Sequence, residues 1–220
     1  MRQNRSGNMI QNIRHIIFDL GGVLLNLDTQ KTASAFEKSG ITNFSEWQQE
    51  PQFRDLLTRF EFGQITRSAF FENINRLSGK NLSHEAITKA WNAMLLEFPL
   101  RRLQILQQLQ IHFDLILLSN TNEVHEECFN AKLKAQTGFP NLNVFFDRVY
   151  FSHRIGLRKP QPEIFEKVLS ETGFQPEHSL FIDDLAENVA AAEKTGIQTI
   201  WLQPGMSIEE HIFKSKPYTV

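Results

Sequence analysis

Short apolar runs, each bounded by polar or turn residues, recur along the chain. The runs cover residues 15–18, 113–118, 149–151, 180–182 and 199–202. A short bounded apolar run is typical of a parallel strand, because both faces of such a strand are covered. Helical patterns separate the later runs, at residues 100–110, 123–133, 162–172 and 187–195. This alternation predicts an α/β fold, with a Rossmann-like parallel sheet and helices on both of its faces.

Residues 29–98, called the helical insert below, interrupt this alternation after the first strand. Their apolar residues recur three and four positions apart, for example at Phe53, Leu56, Leu57 and Phe60. This spacing places them on one face of a helix, and the segment contains no strand-like run. The pattern predicts a helical domain inserted between two parts of one α/β core, residues 13–28 and 99–220.

Composition and charge indicate which kinds of partner and compartment to expect. The chain is 41% hydrophobic and 22% charged, as is usual for globular proteins, and its net charge of −2 gives no reason to expect nucleic acid or an anionic membrane. No apolar run is long enough to cross a bilayer. Residues 1–12 lack a signal-peptide core and are expected to form a disordered leader. The single cysteine, Cys128, suits a reducing cytoplasm, whereas monomer and dimer remain open.

Polar residues follow the predicted strands at their carboxyl ends. Asp19 follows the first strand, Ser119 the second, and Asp183 with Asp184 the fourth. In open parallel sheets, ligands bind at that edge. Two adjacent carboxylates at a buried strand end would repel each other unless a cation or hydrogen bonds intervened. Lys159 lies between the serine and the aspartate pair in the sequence, and this order of groups indicates a functional site.

The order Asp, Ser, Lys, Asp-Asp resembles the haloacid dehalogenase superfamily of phosphatases, phosphotransferases and dehalogenases. The matching segments are residues 16–23, 117–120, 156–162 and 181–188. The helical insert is similar in position and size to the α-helical C1 cap of that superfamily's subfamily I. The motifs look most similar to the branch that contains sugar-phosphate phosphatases and the N-terminal phosphatase domain of epoxide hydrolases.

This resemblance implies a Mg²⁺-dependent phosphohydrolase that acts on a small phosphorylated metabolite, with sugar phosphates among the candidates. Asp19 would attack phosphorus and form an aspartyl phosphate that water then hydrolyses. Mg²⁺ would be held by the carboxylates of Asp19 and Asp184 and by the backbone carbonyl of Gly21, a ligand set that suits this ion. Asp183 would be either a second carboxylate of the metal site or a group that orients the metal ligands.

The remaining motif residues would stabilise the phosphoryl group. By the same resemblance, Lys159 would offset the negative charge shared by the nucleophile and the phosphoryl group, and Ser119 would donate a hydrogen bond to a phosphoryl oxygen. Asn120 is expected beside the phosphate, and Asn188 is expected to support the metal-binding loop.

One position departs from the superfamily pattern. Most of its phosphatases carry a second aspartate two residues after the nucleophile, as general acid and base, where this chain has Gly21. General acid–base catalysis contributes roughly 10²- to 10⁴-fold, so its loss should weaken hydrolysis without abolishing it. We expect activity skewed to leaving groups that need little protonation, such as anomeric sugar phosphates or acyl phosphates. Asp28 or a residue of the helical insert could supply the acid instead.

Three other functions stay open. A phosphate-binding regulatory protein without turnover would be consistent with Gly21. A haloacid dehalogenase would also lack the second aspartate, but these enzymes work without metal and the pair Asp183 and Asp184 favours one. A receiver-type signalling domain fits least, because it normally carries its acidic pair after the first strand and has no place for the helical insert.

The helical insert is expected to close over the carboxyl edge of the sheet and to select the substrate. Candidates for contact with the substrate are Arg59, Arg67, Phe60, Phe62 and Phe71. Residues 125–128 contain a histidine, two glutamates and the cysteine, but they show no recognised metal-ligand spacing. We therefore expect residues 125–128 on the surface.

Overall fold

A computed structural model describes residues 12–213, and it contains the predicted parallel sheet. The expected leader at residues 1–12 lies, except for its last residue, outside the described part of the chain. The strands are β1 His15–Phe18, β2 Asp114–Ser119, β3 Arg148–Phe151, β4 Ser179–Asp183 and β5 Gln198–Trp201. They pair in the order β3-β2-β1-β4-β5, with every pair parallel. The predicted α/β fold class is confirmed.

Ten α-helices accompany the strands in the described residues. Those of the helical insert are α1 Thr29–Lys38, α2 Phe44–Trp47, α3 Pro51–Glu61, α4 Arg67–Ser78 and α5 His84–Trp91. Those that alternate with the strands are α6 Leu100–Leu109, α7 Glu123–Thr137, α8 Ser152–Ile155, α9 Pro162–Thr172 and α10 Ala186–Glu193. Within residues 12–213, none of the helices combines the length and the apolar character that a bilayer crossing needs.

The central strand β1 divides its side chains between two apolar clusters. Ile16 and Phe18 belong to one cluster, whereas Ile17 belongs to the other, and all three are buried. Because side chains alternate along a strand, this division places one cluster on each face of the sheet. The continuous apolar character of β1 in the sequence follows from this burial on both faces.

The helical insert has an apolar cluster of its own, rich in aromatic rings. Phe36 stacks on Phe44 with ring centroids 4.3 Å apart, and Phe60 stacks on Phe70 at 4.2 Å. Phe71 is fully buried in the same cluster. Phe60 and Phe71 therefore hold the insert together, and their contact with the substrate stays a prediction.

The chain leaves the α/β core and returns to it at one place. The Asn26 N–H donates to Glu97 O at 3.2 Å, and the Leu96 N–H donates to Asn26 O at 3.0 Å. The Asp28 N–H donates to Met94 O at 2.9 Å. These bonds form a short antiparallel contact between residues 26–28 and residues 94–97, the two segments that connect the helical insert to the core. They hold the base of the helical insert at the carboxyl end of β1, beside the predicted site.

Candidate active site

Three carboxylates meet at the carboxyl edge of the sheet. Asp19 comes directly after β1, Asp183 is the last residue of β4, and Asp184 follows it. Since β1 and β4 are paired neighbours, their ends bring one oxygen of each carboxylate within 4.8 Å of the others. This is the group of acidic residues that the sequence predicts at this edge.

Lys159 is inserted between two of these carboxylates. Its Nζ lies 2.6 Å from Asp19 Oδ1 and 2.7 Å from Asp183 Oδ2, and only 1% of its surface is exposed. Burial by itself would lower the pKa of Lys159, but the charges and hydrogen bonds of the two aspartates outweigh it and raise that pKa. Lys159 is therefore a buried, charged ammonium group fixed beside Asp19.

Asp19 is nearly enclosed by protein. Burial raises the pKa of its carboxyl to about 7; Lys159 opposes that rise, and the negative charges of Asp183 and Asp184 add to it. Burial and the charge of Asp183 also raise the pKa of Asp184. The three carboxyl groups can carry more negative charge than Lys159 alone balances, and a bound cation would supply the missing positive charge.

Asp183 is saturated with hydrogen bonds from protein donors. Its Oδ1 accepts from the Leu185 N–H at 2.8 Å, and Asn188 Nδ2 lies 3.1 and 3.0 Å from its two oxygens. Its Oδ2 also accepts from Lys159 Nζ, and the residue is completely buried. Of the two roles expected for Asp183, this geometry favours the orienting one. Asn188, as expected, supports this loop.

Gly22 leaves room for the carboxylate of Asp184. A Cβ atom on Gly22 would stand 2.4 Å from Asp184 Oδ2, and the glycine has a φ of +74°, which side chains rarely adopt. The backbone after Asp19 is therefore shaped around that carboxylate. Two acidic oxygens beside a backbone turn form a donor set that fits Mg²⁺.

Ser119 ends strand β2 beside the three carboxylates, and Asn120 follows it. Ser119 Oγ has one weak contact within the described residues, with Asn120 O at 3.5 Å, and so its hydroxyl is available to a ligand. The Asn120 amide is engaged at both ends, because it donates to Lys159 O and accepts from the Lys159 N–H, each at 2.8 Å. Asn120 therefore positions the lysine through its backbone, whereas a direct contact with phosphate stays a prediction.

A cavity of about 180 Å³ opens beside these groups, between the sheet edge and the helical insert. Most of its wall is apolar, formed by Leu20, Leu25, Leu27, Leu57, Trp91, Met94, Leu95 and Phe129. Its polar lining consists of Ser119, Asn120, Thr121, Glu61 and His125. The cavity suits a small leaving group.

Leu27 fills the place where the superfamily's second aspartate would stand. A Cβ atom on Gly21 would lie 2.7 Å from Leu27 Cδ1, and both residues line the cavity. Asp28, expected as a possible substitute acid, does not line it. Its Oδ1 accepts from the Gln30 N–H at 3.1 Å and caps helix α1.

Two ionisable residues of the cavity were not predicted from the sequence as site residues. Glu61, at the end of α3, lies 2.9 Å from Arg158 Nη2, and burial raises its pKa although Arg158 opposes the rise. His125 was expected on the surface, but it is buried, with Nε2 3.2 Å from Trp91 O. Its spacing to Phe129 and Leu133, four and eight residues on, could have revealed a buried helix face.

The candidate arginines lie away from the cavity. Arg67 is paired with Glu127, and its backbone N–H donates to Glu123 Oε1 at 2.7 Å. These contacts join the start of α4 to the start of α7. Arg59 is exposed and does not line the cavity. Arg67 therefore fixes the helical insert against the core, and neither arginine supports the expected contact with substrate.

Comparison with known proteins finds a hydrolase family and phosphatases that this chain is similar to. The sequence profile of haloacid dehalogenase-like hydrolases matches residues 13–196. The D-ribitol-5-phosphate phosphatase of Bacteroides thetaiotaomicron is 30% identical over 197 residues, which cover 88% of this chain and 93% of that protein. The glyceraldehyde 3-phosphate phosphatase of Pyrococcus abyssi is 24% identical, covering 88% of this chain and 82% of that one.

Solved structures of a HAD family enzyme resemble this chain in fold and sequence. A crystal structure of a HAD family enzyme from Bacteroides thetaiotaomicron has a TM-score of 0.83 and 32% identity, covering 93% of this chain and all of that one. The wild-type form of that enzyme in complex with magnesium and inorganic phosphate has a TM-score of 0.78 at the same identity, covering 92% of this chain and all of that one.

Proposed function

Because the chain belongs to the haloacid dehalogenase-like hydrolase family, we propose that it is a magnesium-dependent phosphohydrolase for small phosphorylated metabolites. One observation carries this proposal. Lys159 bridges Asp19 and Asp183, with Asp184 beside them, so that a nucleophile, a fixed positive charge and metal ligands share one edge of the sheet. The related phosphatases and the magnesium and phosphate complex of the structural relative support the same chemistry.

Asp19 would act as the nucleophile. Its Oδ1 is held by Lys159, which leaves Oδ2 to form a bond to phosphorus as the bond between phosphorus and the leaving-group oxygen breaks. The leaving oxygen takes up a proton from solvent water. Water then attacks the phosphorus of the aspartyl phosphate, which releases inorganic phosphate and restores the carboxylate.

The charged groups around Asp19 would make this attack possible. Mg²⁺ would be held by Asp19, Asp184 and the carbonyl of Gly21, where it supplies the positive charge that lets a carboxylate approach a phosphoryl group. Lys159 remains charged because of its two aspartate partners, and Ser119 has a free hydroxyl to donate. Both groups would stabilise the negative charge of the transferring phosphoryl group.

The substrate would be a small phosphorylated metabolite, with sugar and polyol phosphates as the leading candidates. The small cavity and the named substrate of the Bacteroides relative support this class. The single cysteine supports a reducing cytoplasmic compartment.

Phosphate release from a panel of phosphorylated metabolites would test the proposal. The wild type should release phosphate with Mg²⁺ and lose activity with EDTA, and Asp19→Asn, which keeps the shape and removes the nucleophile, should be slower by at least about 10³-fold. Turnover of a halogenated acid in EDTA would instead identify a dehalogenase. Tight phosphate binding without phosphate release would identify a binding protein.

A further inference from the structure

The cavity beside Asp19 contains two hydrogen-bond acceptors that the proposed phosphoryl chemistry does not use. His125 comes from the first turn of α7, on the core, and Glu61 from the end of α3, in the helical insert. Both residues line the cavity together with Gly21 and Ser119. A leaving group that occupies this cavity therefore meets these two side chains.

The tautomer of His125 is fixed by its surroundings. Nε2 faces the carbonyl oxygen of Trp91 at 3.2 Å, and because a carbonyl only accepts, Nε2 carries the proton. The His125 ring also stacks on the Trp91 ring at 5.1 Å, and its backbone N–H is capped by Asn122. Burial lowers the pKa of His125 to about 4, although the bond to Trp91 O opposes this, so the ring is neutral near pH 7. Nδ1 is then a bare acceptor, without a hydrogen bond to any residue in 12–213 and not fully sealed by protein.

Glu61 adds a second acceptor. Its Oε2 lies 2.9 Å from Arg158 Nη2, which is on the loop before Lys159. Oε1 has no hydrogen-bond partner among the described residues, and Glu61 lines the cavity. An acceptor of this kind is satisfied by an incoming hydroxyl and repels an incoming anion.

The cavity is therefore divided by hydrogen-bond character. Ser119 lines the cavity with a hydroxyl donor next to the edge that carries Asp19, whereas His125 and Glu61 line it with acceptors. We propose that His125 and Glu61 determine substrate specificity by accepting hydroxyl groups of an uncharged leaving group and by excluding leaving groups with a second anion. This inference rests on the proposed phosphohydrolase function and assigns its preference for sugar and polyol monophosphates to these two residues.

Two substitutions distinguish the acceptor at His125 Nδ1 from the hydrogen bond between His125 Nε2 and Trp91 O. His125→Gln places its amide near the position of Nε2, so it can donate to Trp91 O but removes the acceptor at Nδ1. His125→Asn places its shorter amide near Nδ1, so it keeps an acceptor there and loses the bond to Trp91 O. The substrates are glycerol 3-phosphate and propyl phosphate, which have equal chain length and differ in two hydroxyls, with p-nitrophenyl phosphate as the activity reference.

The wild type should hydrolyse glycerol 3-phosphate with a higher kcat/KM than propyl phosphate. His125→Gln should reduce that ratio by about 3- to 10-fold, the effect of one hydrogen bond, with activity on p-nitrophenyl phosphate measured as the reference for any general loss of activity. His125→Asn should retain most of the ratio. A wild type that hydrolyses p-nitrophenyl phosphate without preferring glycerol 3-phosphate overturns the inference alone, and so does an unchanged ratio in His125→Gln. A wild type that releases no phosphate from any of the substrates overturns the proposed function itself.

Glu61 is tested with a substrate that differs by one charge. In 3-phosphoglycerate, a carboxylate replaces one hydroxymethyl group of glycerol 3-phosphate. The wild type should disfavour it. Glu61→Gln, which keeps the shape and removes the charge, should raise the catalytic efficiency toward 3-phosphoglycerate, relative to glycerol 3-phosphate, about tenfold. A wild type that accepts both substrates equally, or a variant that leaves the ratio unchanged, rules out the excluding role of Glu61.

Discussion

The Asn120 side chain is hydrogen-bonded at both ends to the backbone of Lys159. Nδ2 donates to the Lys159 carbonyl at 2.8 Å, and Oδ1 accepts from the Lys159 N–H at 2.8 Å. This pair of bonds ties the end of β2 to the loop before α9. From that loop the lysine side chain reaches across the sheet edge to Asp19. The position of the ammonium group therefore depends on Asn120, whose amide binds the lysine backbone at both ends.

Asn120→Asp should test this dependence. The substitution keeps the shape of the side chain but turns its donor into a carboxylate oxygen that faces the Lys159 carbonyl, so the two oxygens repel each other. We expect kcat to fall about 10- to 100-fold, as is typical when a supporting hydrogen bond of a site is lost, with little change in the Mg²⁺ concentration for half-maximal activity. Steady-state kinetics at varied Mg²⁺ measures both quantities. An unchanged kcat would show that the lysine is held by its aspartate partners alone.

Asp183→Asn and Asp184→Asn form a matched pair that separates positioning from metal binding. Asp183 accepts from Lys159, Asn188 and Leu185, so we expect its substitution to lower kcat about 10- to 100-fold with a small effect on Mg²⁺ affinity. Asp184 has no such set of donors among the described residues, and its substitution should weaken Mg²⁺ binding at least about tenfold.

Calorimetric titration of Mg²⁺, with kinetics, distinguishes the two roles. Equal losses of Mg²⁺ affinity in both variants would identify Asp183 as a metal ligand.

The strands and the motif residues could be predicted because they depend on local pattern. A strand buried on both faces must be apolar throughout, as β1 is, and parallel strands bring their carboxyl ends to one edge. Asp19, Ser119 and Asp183 therefore met where the sequence placed them. The predicted helix over 162–172 also has the observed bounds, because Pro162 begins it and Gly173 ends it.

The contacts between the helical insert and the core could not be predicted, because they pair residues far apart in the sequence. Glu61 and Arg158 are separated by nearly one hundred positions, and neither has a local partner that would mark it. Leu27 gives no sign in the sequence that it fills the place of a missing aspartate. His125 was assigned to the surface because residues 125–128 show no metal-ligand spacing, although the helix face that carries His125 is buried.

Gly22→Ala should disrupt metal binding through contact with Asp184. A Cβ atom at this position would stand 2.4 Å from Asp184 Oδ2. Gly79→Ala is the matched control, because Gly79 has a similar positive φ of +65° but no described atom within 4 Å of the added Cβ. Each substitution should cost about 1–2 kcal/mol of stability from backbone strain.

Only Gly22→Ala should also weaken Mg²⁺ binding, by at least about tenfold, because it displaces a proposed ligand. Urea unfolding and Mg²⁺ titration of both variants check this. Normal Mg²⁺ affinity in Gly22→Ala would show that Asp184 need not occupy its present position.

His125 should make the fold less stable as the pH falls below about 6.5. In the folded chain its pKa is lowered to about 4, against an ordinary value of 6.5, so the unfolded chain binds more protons between these values. The free energy of unfolding should therefore fall by up to about 1.4 kcal/mol per pH unit as the pH decreases through this window.

Urea unfolding of the wild type and His125→Gln at pH 7 and pH 5 isolates this contribution, since carboxylates titrate alike in both proteins. We expect a smaller loss of stability at pH 5 in the variant. Parallel losses in the two proteins would show that the imidazole takes up its proton in the folded state.

The short antiparallel contact between the two connections has a consequence for how such a protein can change. The Asp28 N–H and the Met94 carbonyl are 2.9 Å apart, so a turn of about two to five residues would join these positions directly. The segment between these two positions could then be exchanged as a unit, because the backbone bonds at its base already join its two ends. Evolution could thus exchange the helical insert while the strands that carry Asp19 and Asp184 stay the same.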